Sequence, residues 1–105
     1  MVKKKIVILG YSGSLGQEIY QVFNSAYFTI KKILIKDCDY IDNPKKLYDT
    51  ISKIKPNYLI NCAALTKHEV CERKIKLAYE LNSFLPYRLS LISKKLNIVF
   101  IHFST

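Results

Sequence analysis

The stretch Ile6-Val7-Ile8-Leu9-Gly10-Tyr11-Ser12-Gly13-Ser14-Leu15-Gly16 decides how the rest of the chain is read. Its first four residues are apolar, three of them β-branched, and they stop at a glycine. A run so short and continuous suits a strand buried on both faces. Behind it, Leu15, Ile19, Val22, Phe23 and Ala26 recur at helical spacing, the apolar stripe of an amphipathic helix. Strand, glycine turn and helix together form the first part of a βαβ unit.

Outward from there the alternation continues. Ile33-Leu34-Ile35 reads as a second buried strand, closed by Asp37. Asp42-Asn43-Pro44 offers a capping residue and then a proline suited to a first helical position, and Leu47, Ile51 and Ile54 follow at helical spacing. That helix must end near Lys55, because the residue before Pro56 is driven out of the helical region. Tyr58-Leu59-Ile60 is strand three. Ile75, Ala78, Leu81, Leu85, Leu89, Ile92 and Leu96 mark one long helix or two consecutive ones, with Pro86 as kink or restart. Ile98-Val99-Phe100-Ile101 is strand four. The pattern predicts an α/β chain: a Rossmann-like, doubly wound parallel sheet with right-handed crossovers. The expected strand order is 3-2-1-4, with the switch between strands one and four, in one domain over residues 1–105.

Composition narrows the partners. The net charge of +9 comes from 15 lysines and 2 arginines scattered along all 105 residues. No helix carries a basic stripe with interleaved aromatics, and arginine, whose planar fork reads bases and phosphates, is scarce, so a nucleic-acid partner is not expected. Cys38, Cys62 and Cys71 form no C-x-x-C pair and are odd in number, which argues for a reducing, cytoplasmic setting. The run Ile6 to Leu9 is far shorter than a signal-peptide core, and nothing approaches a membrane span, so no membrane partner is expected either.

The chemistry gathers at Gly10, Gly13 and Gly16, the only 3 glycines in the chain. An ordinary turn needs one glycine. Three at this spacing meet separate demands: a tight exit from the strand, backbone close enough to touch a pyrophosphate, and a helix packed hard on the sheet. The helix start then offers unbonded N–H groups and a positive dipole end to phosphates. The spacing is G-x-x-G-x-x-G, one residue wider than the commonest dinucleotide fingerprint.

Further segments fall into a recognisable order: Asp39-Tyr40 with Asn43-Pro44, Lys55-Pro56-Asn57, Asn61-Cys62-Ala63-Ala64-Leu65-Thr66, Glu69, Glu72, Asn82 and His102-Phe103-Ser104-Thr105. With the glycine heptad they resemble dTDP-4-dehydrorhamnose reductase, of the extended short-chain dehydrogenase/reductase superfamily, over its N-terminal part. The resemblance implies an NAD(P)-dependent sugar-nucleotide reductase serving dTDP-rhamnose and cell-surface polysaccharide synthesis. It places Gly10, Ser12, Gly13, Ser14, Leu15 and Gly16 around the cofactor pyrophosphate and Asp39 with Tyr40 near the adenosine. Ala63, Ala64, Leu65 and Thr66 would line the cofactor after strand three, with Phe103 on the nicotinamide side. Small side chains at Ala63 and Ala64 let the cofactor approach the backbone, and core packing at a strand end is the competing explanation. Thr105 matches the hydroxyl that hydrogen-bonds the sugar carbonyl.

At the adenosine end, Asp37 lies at the distance where an acid holds a ribose 2′-hydroxyl, favouring NAD, while Lys32 and Lys36 could accept a 2′-phosphate, favouring NADP. Both cofactors stay open. In the family, the Ser-Thr pair is followed by Asp-Tyr-Val-Phe and later by a Tyr-x-x-x-Lys pair. The one such spacing here, Tyr27 to Lys31, falls between helix one and strand two and is assigned no role. The 105 residues alone are therefore expected to be a truncated, inactive portion, binding a dTDP-sugar only when the C-terminal part is supplied. His68 and His102 have no metal-ligand companions at a suitable spacing, and Glu69 and Glu72 suit a helix start. Two other functions share these motifs: a non-catalytic cofactor-binding subunit resembling the regulatory beta subunit of methionine adenosyltransferase, and a portion of a nucleotide-sugar epimerase or dehydratase. An exposed edge on strand four would permit self-association.

Overall fold

The computed structural model describes residues 3–10, 13–24, 27–34, 43–63 and 83–103. Among them the chain alternates β1 (Lys4–Leu9), α1 (Ser14–Phe23), β2 (Phe28–Ile33), α2 (Pro44–Ile54), β3 (Tyr58–Asn61), α3 (Leu85–Leu96) and β4 (Val99–His102). All pairings are parallel: Ile6 lies opposite Ile30 and Tyr58, and Leu59 opposite Phe100. The sheet is doubly wound and Rossmann-like, as the alternation predicts. No helix among the described residues is long and apolar enough to cross a membrane.

The strand order is β2-β1-β3-β4, which corrects the expected 3-2-1-4 and moves the switch to between β1 and β3. The reason lies in which face each helix covers. Ile19 and Tyr20 of α1 pack on the face formed by Ile6, Ile8 and Ile60. Leu47 and Ile51 of α2, with Leu85, Leu89 and Ile92 of α3, pack on the opposite face with Val7, Leu9, Leu59 and Ala63. A right-handed crossover steps in opposite directions when its helix changes face. The chain therefore steps from β1 to β2 one way, and α2 returns it past β1 to β3.

Strand two is also displaced. It spans Phe28–Ile33 rather than residues 33–35, so Asp37 does not close it and lies outside the described residues. A search for an all-apolar run suits an interior strand, but β2 is an edge strand with exposed Lys31 and Lys32, and half its surface needs no burial. The helical stripe of α1 is likewise only partly used. Gly16 is its buried residue, Ile19 and Tyr20 are half-buried, and Leu15, Val22 and Phe23 stay exposed, Phe23 meeting Phe28 edge to face. The helix ends at Phe23, short of Ala26, which lies outside the described residues.

Elsewhere local rules hold. Asn43 stands at the N-cap of α2 with proline in the first turn, though its side chain makes no capping bond. Lys55, in the left-handed conformation at φ 53°, ends α2 just before Pro56. Pro86 sits in the first turn of α3, a restart rather than a kink. Asn97, left-handed at φ 58°, turns the chain into β4.

Candidate functional site

The carboxyl ends of β1 and β3 meet at the switch point, where open parallel sheets leave a crevice for ligands. Gly10 leaves β1 with φ +80°, and its N–H donates to the Ile33 carbonyl at 2.9 Å. The Cys62 N–H donates to the Leu9 carbonyl at 2.8 Å, drawing the β3 exit against this turn. A Cβ on Gly10 would lie 2.5 Å from the Ala63 nitrogen and 2.8 Å from the Cys62 carbonyl carbon. The fold itself therefore demands glycine at position 10, twice over: for the left-handed backbone and for the close approach.

Gly13 is different. It is the N-cap of α1 with extended backbone, φ −75° and ψ 164°, which any residue adopts. A Cβ there would meet nothing nearer than the Gly10 carbonyl oxygen at 3.8 Å. Nothing described in the chain requires glycine here, so the space over Gly13 is free for a group from outside. The first intrahelical bond runs from the Gln17 N–H to the Gly13 carbonyl at 3.1 Å, leaving the amides of Ser14, Leu15 and Gly16 ahead of the helical ladder. Among the described residues no side chain caps them, and no acid stands in the first turn. Bare amides at the positive end of a helix, beside an open glycine, fit a phosphate group. Gly16 is the buried residue of α1, at the place where close helix–sheet packing favours glycine.

The second half of the site is a hydrogen-bonded cluster. Asn61, fully buried at the end of β3, accepts the Ala63 N–H on Oδ1 at 3.1 Å, a turn in which the side chain mimics backbone. Its Nδ2 lies 3.0 Å from Nδ1 of His102, the last residue of β4. The Phe103 N–H reaches the Asn61 carbonyl at 3.3 Å, and the Phe103 ring is exposed at this end of the sheet. The Ala63 side chain belongs to the core, so its part in any ligand contact falls to its backbone. Burial pushes the half-buried Cys62 thiol above the ordinary cysteine range. Lys32, a candidate for a 2′-phosphate, places its ammonium 4.4 Å from the Tyr20 ring centre.

Of the expected site residues, Gly10, Gly13, Ser14, Leu15, Gly16, Ala63 and Phe103 come together at the carboxyl end of the sheet. Ser12, Asp37, Asp39, Tyr40, Ala64, Leu65, Thr66 and Thr105 lie outside the described residues, as do Lys36, His68, Glu69 and Glu72. Tyr27 precedes β2 at the opposite end of the sheet, its carbonyl accepting the Lys4 N–H at 3.2 Å. The coupling of Asn61 to His102 was not foreseen. The available hint was the Asn-x-Ala spacing at a strand end, a pattern for side-chain turns.

Comparison with known proteins decides the family. The model of the RmlD substrate binding domain matches residues 4–105. The chain belongs to the RmlD substrate-binding-domain family. The crystal structure of dTDP-4-dehydrorhamnose reductase from Bacillus anthracis, in complex with NADP, superposes with a TM-score of 0.81 at 25% identity, covering 95% of this chain and 35% of that one. The reductase ortholog from Clostridium acetobutylicum gives 0.79 at 31% identity, covering 91% and 34%. The spore coat polysaccharide biosynthesis protein SpsK of Bacillus subtilis is 25% identical over 101 residues, 96% of this chain and 35% of its own length. This RmlD-family chain thus spans about a third of the length of the relatives it matches. The residues matched by the family, 4–105, include the glycine turn and the Asn61 cluster.

Proposed function

We propose that these residues form the NAD(P)-binding N-terminal portion of a sugar-nucleotide reductase resembling dTDP-4-dehydrorhamnose reductase. The observation that carries the reading is Gly13: glycine where the chain's own packing leaves room for a side chain, at the head of an uncapped helix. In this reading the amides of Ser14, Leu15 and Gly16 hold the pyrophosphate, with Gly10 and Ser12 shaping the turn. Asp37, Asp39 and Tyr40 lie toward the adenosine, where NAD and NADP are to be separated. Ala63, Ala64, Leu65, Thr66 and Phe103 flank the nicotinamide side. The dinucleotide, when bound, supplies a hydride to a sugar carbonyl. Thr105 polarises that carbonyl by hydrogen bonding. The free Cys62 thiol supports a reducing, cytoplasmic setting. In this reading the 105-residue polypeptide by itself binds dinucleotide without turnover, because among the described residues no tyrosine and lysine pair stands on the sugar side to donate the proton.

The test is calorimetric titration of NADP and NAD into the wild type and Gly13→Val. The valine variant should keep its circular-dichroism spectrum and lose binding, because its branched side chain fills the space a phosphate needs. Equal affinity in both proteins overturns the site.

A further inference from the structure

Two bonds on one buried amide determine the state of a histidine. The group facing the Ala63 N–H must be an acceptor, so the Asn61 oxygen lies on that side and its NH2 faces His102. The NH2 can only donate. Nδ1 of His102 is therefore the unprotonated nitrogen, and Nε2 carries the hydrogen of a neutral ring. A proton on Nδ1 would set two donors face to face, and turning the Asn61 amide over would only move the conflict to the Ala63 N–H. Both bonds exist together only while His102 is neutral.

These bonds hold the floor of the phosphate turn. Ala63 and Cys62 are the backbone against which Gly10 is pressed, with less room than a single Cβ would need. Movement of the 62–63 backbone must therefore be felt at Gly10, whose carbonyl in turn receives the Gly13 N–H at 3.3 Å. His102 is exposed and stacked on Phe100, so solvent protons reach it while Asn61 stays buried.

We propose that His102 is a positioning residue for the dinucleotide site: through Asn61 it holds the Cys62–Ala63 backbone against Gly10, and it does so only as a neutral imidazole, which makes cofactor affinity fall on acidification. This rests on the dinucleotide reading above. Among the described residues, the titratable or charged groups on the elements packed against β4 are Tyr58 and Cys62 on the β3 side and Tyr87, Arg88, Lys94 and Lys95 on α3. Lys94 and Lys95 end α3 beside the start of β4, where the Ile98 N–H meets the Ser93 carbonyl, at the far end of the strand from His102. Tyr87 and Arg88 begin α3 and lie toward the His102 end.

The experiment uses the full chain with His68→Gln as background, since the sequence has 2 histidines. NADP and NAD affinities are measured from roughly pH 8 to pH 5, the span in which imidazoles protonate. With His102 present, affinity should fall by about tenfold as the buried amide loses its acceptor. His102→Gln, whose side-chain oxygen can accept from Asn61, should bind as at neutral pH throughout. His102→Ala should bind weakly at every pH. The amide resonances of Ala63 and the Asn61 side chain should follow the same titration, and stay still in His102→Gln. Wild-type affinity in His102→Ala, or an unchanged pH profile in His102→Gln, overturns the proposal. A chain that binds neither dinucleotide at any pH fails the functional reading instead, and the resonance titration then decides whether the His102 and Asn61 coupling exists.

Discussion

Replacing Gly10 by alanine adds one methyl group at the point where two strand ends are pressed together. The left-handed backbone at φ +80° costs a residue with a side chain about 1–2 kcal/mol. The new carbon would then lie 2.5 to 2.8 Å from three backbone atoms of Cys62 and Ala63, and backbone cannot swing aside as the end of a flexible side chain can. Overpacking of this kind costs roughly 1–3 kcal/mol. Together the losses come to about 2–5 kcal/mol, a large part of the 5–15 kcal/mol that holds an ordinary domain folded. At roughly 4–8 °C per kcal/mol for a chain of this size, the thermal midpoint should drop by roughly 8 °C or more. Gly13→Ala is the internal control. Its backbone is ordinary and its new methyl lies 3.8 Å from the nearest atom outside its neighbours, so its midpoint should move by about 3 °C or less. Thermal unfolding followed by circular dichroism, with NADP titration on the folded proteins, reads both effects. A Gly10→Ala midpoint within about 3 °C of wild type would refute the claim that the fold itself requires this glycine.

Four further outcomes follow from the packing. Ser93 is buried in α3 with a hydroxyl that bonds to nothing among the described residues, so Ser93→Ala should raise stability by up to about 1 kcal/mol in chemical denaturation. Leu47→Ala, deleting a fully buried side chain between α2 and the sheet, should cost about 2–5 kcal/mol in the same assay. Cys62 has its thiol pushed up by burial, so its alkylation, followed by peptide mapping, should reach half its maximal rate at higher pH than an unstructured cysteine; an equal or lower midpoint contradicts the burial. Val99 and Ile101 are exposed on the edge strand β4, and Ile101→Lys should reduce concentration-dependent association in sedimentation velocity.

Interior strands and helix ends are legible because they obey short-range rules. Ile6 to Leu9 and Tyr58 to Ile60 are continuous apolar runs that suit interior strands, and both fall where expected. Pro44, Pro56 and Pro86 place helix boundaries by sterics alone. The candidate site is legible to the same extent: Gly10 and Gly13 between a strand and a helix, with Gly16 in the first turn of that helix, form a local pattern that suits a phosphate turn. Strand β2 lies off the apolar run at residues 33–35 because its burial depends on having one neighbour among the described strands. That is a property of the sheet, and no local window of sequence contains it.

The amino-acid order by itself determines the alternation of strands and helices, the parallel pairing that follows from it, and the position of the glycine turn, since each depends on local pattern or on fixed backbone handedness. The side of the sheet on which α1 and α2 lie, and with it the order β2-β1-β3-β4, depends on which apolar stripe finds which face. The bond from Asn61 to His102 likewise spans 41 residues and exists because β3 and β4 end side by side. Such choices compare the burial of whole faces and bring distant residues within 3.0 Å, and they are made only when the chain packs.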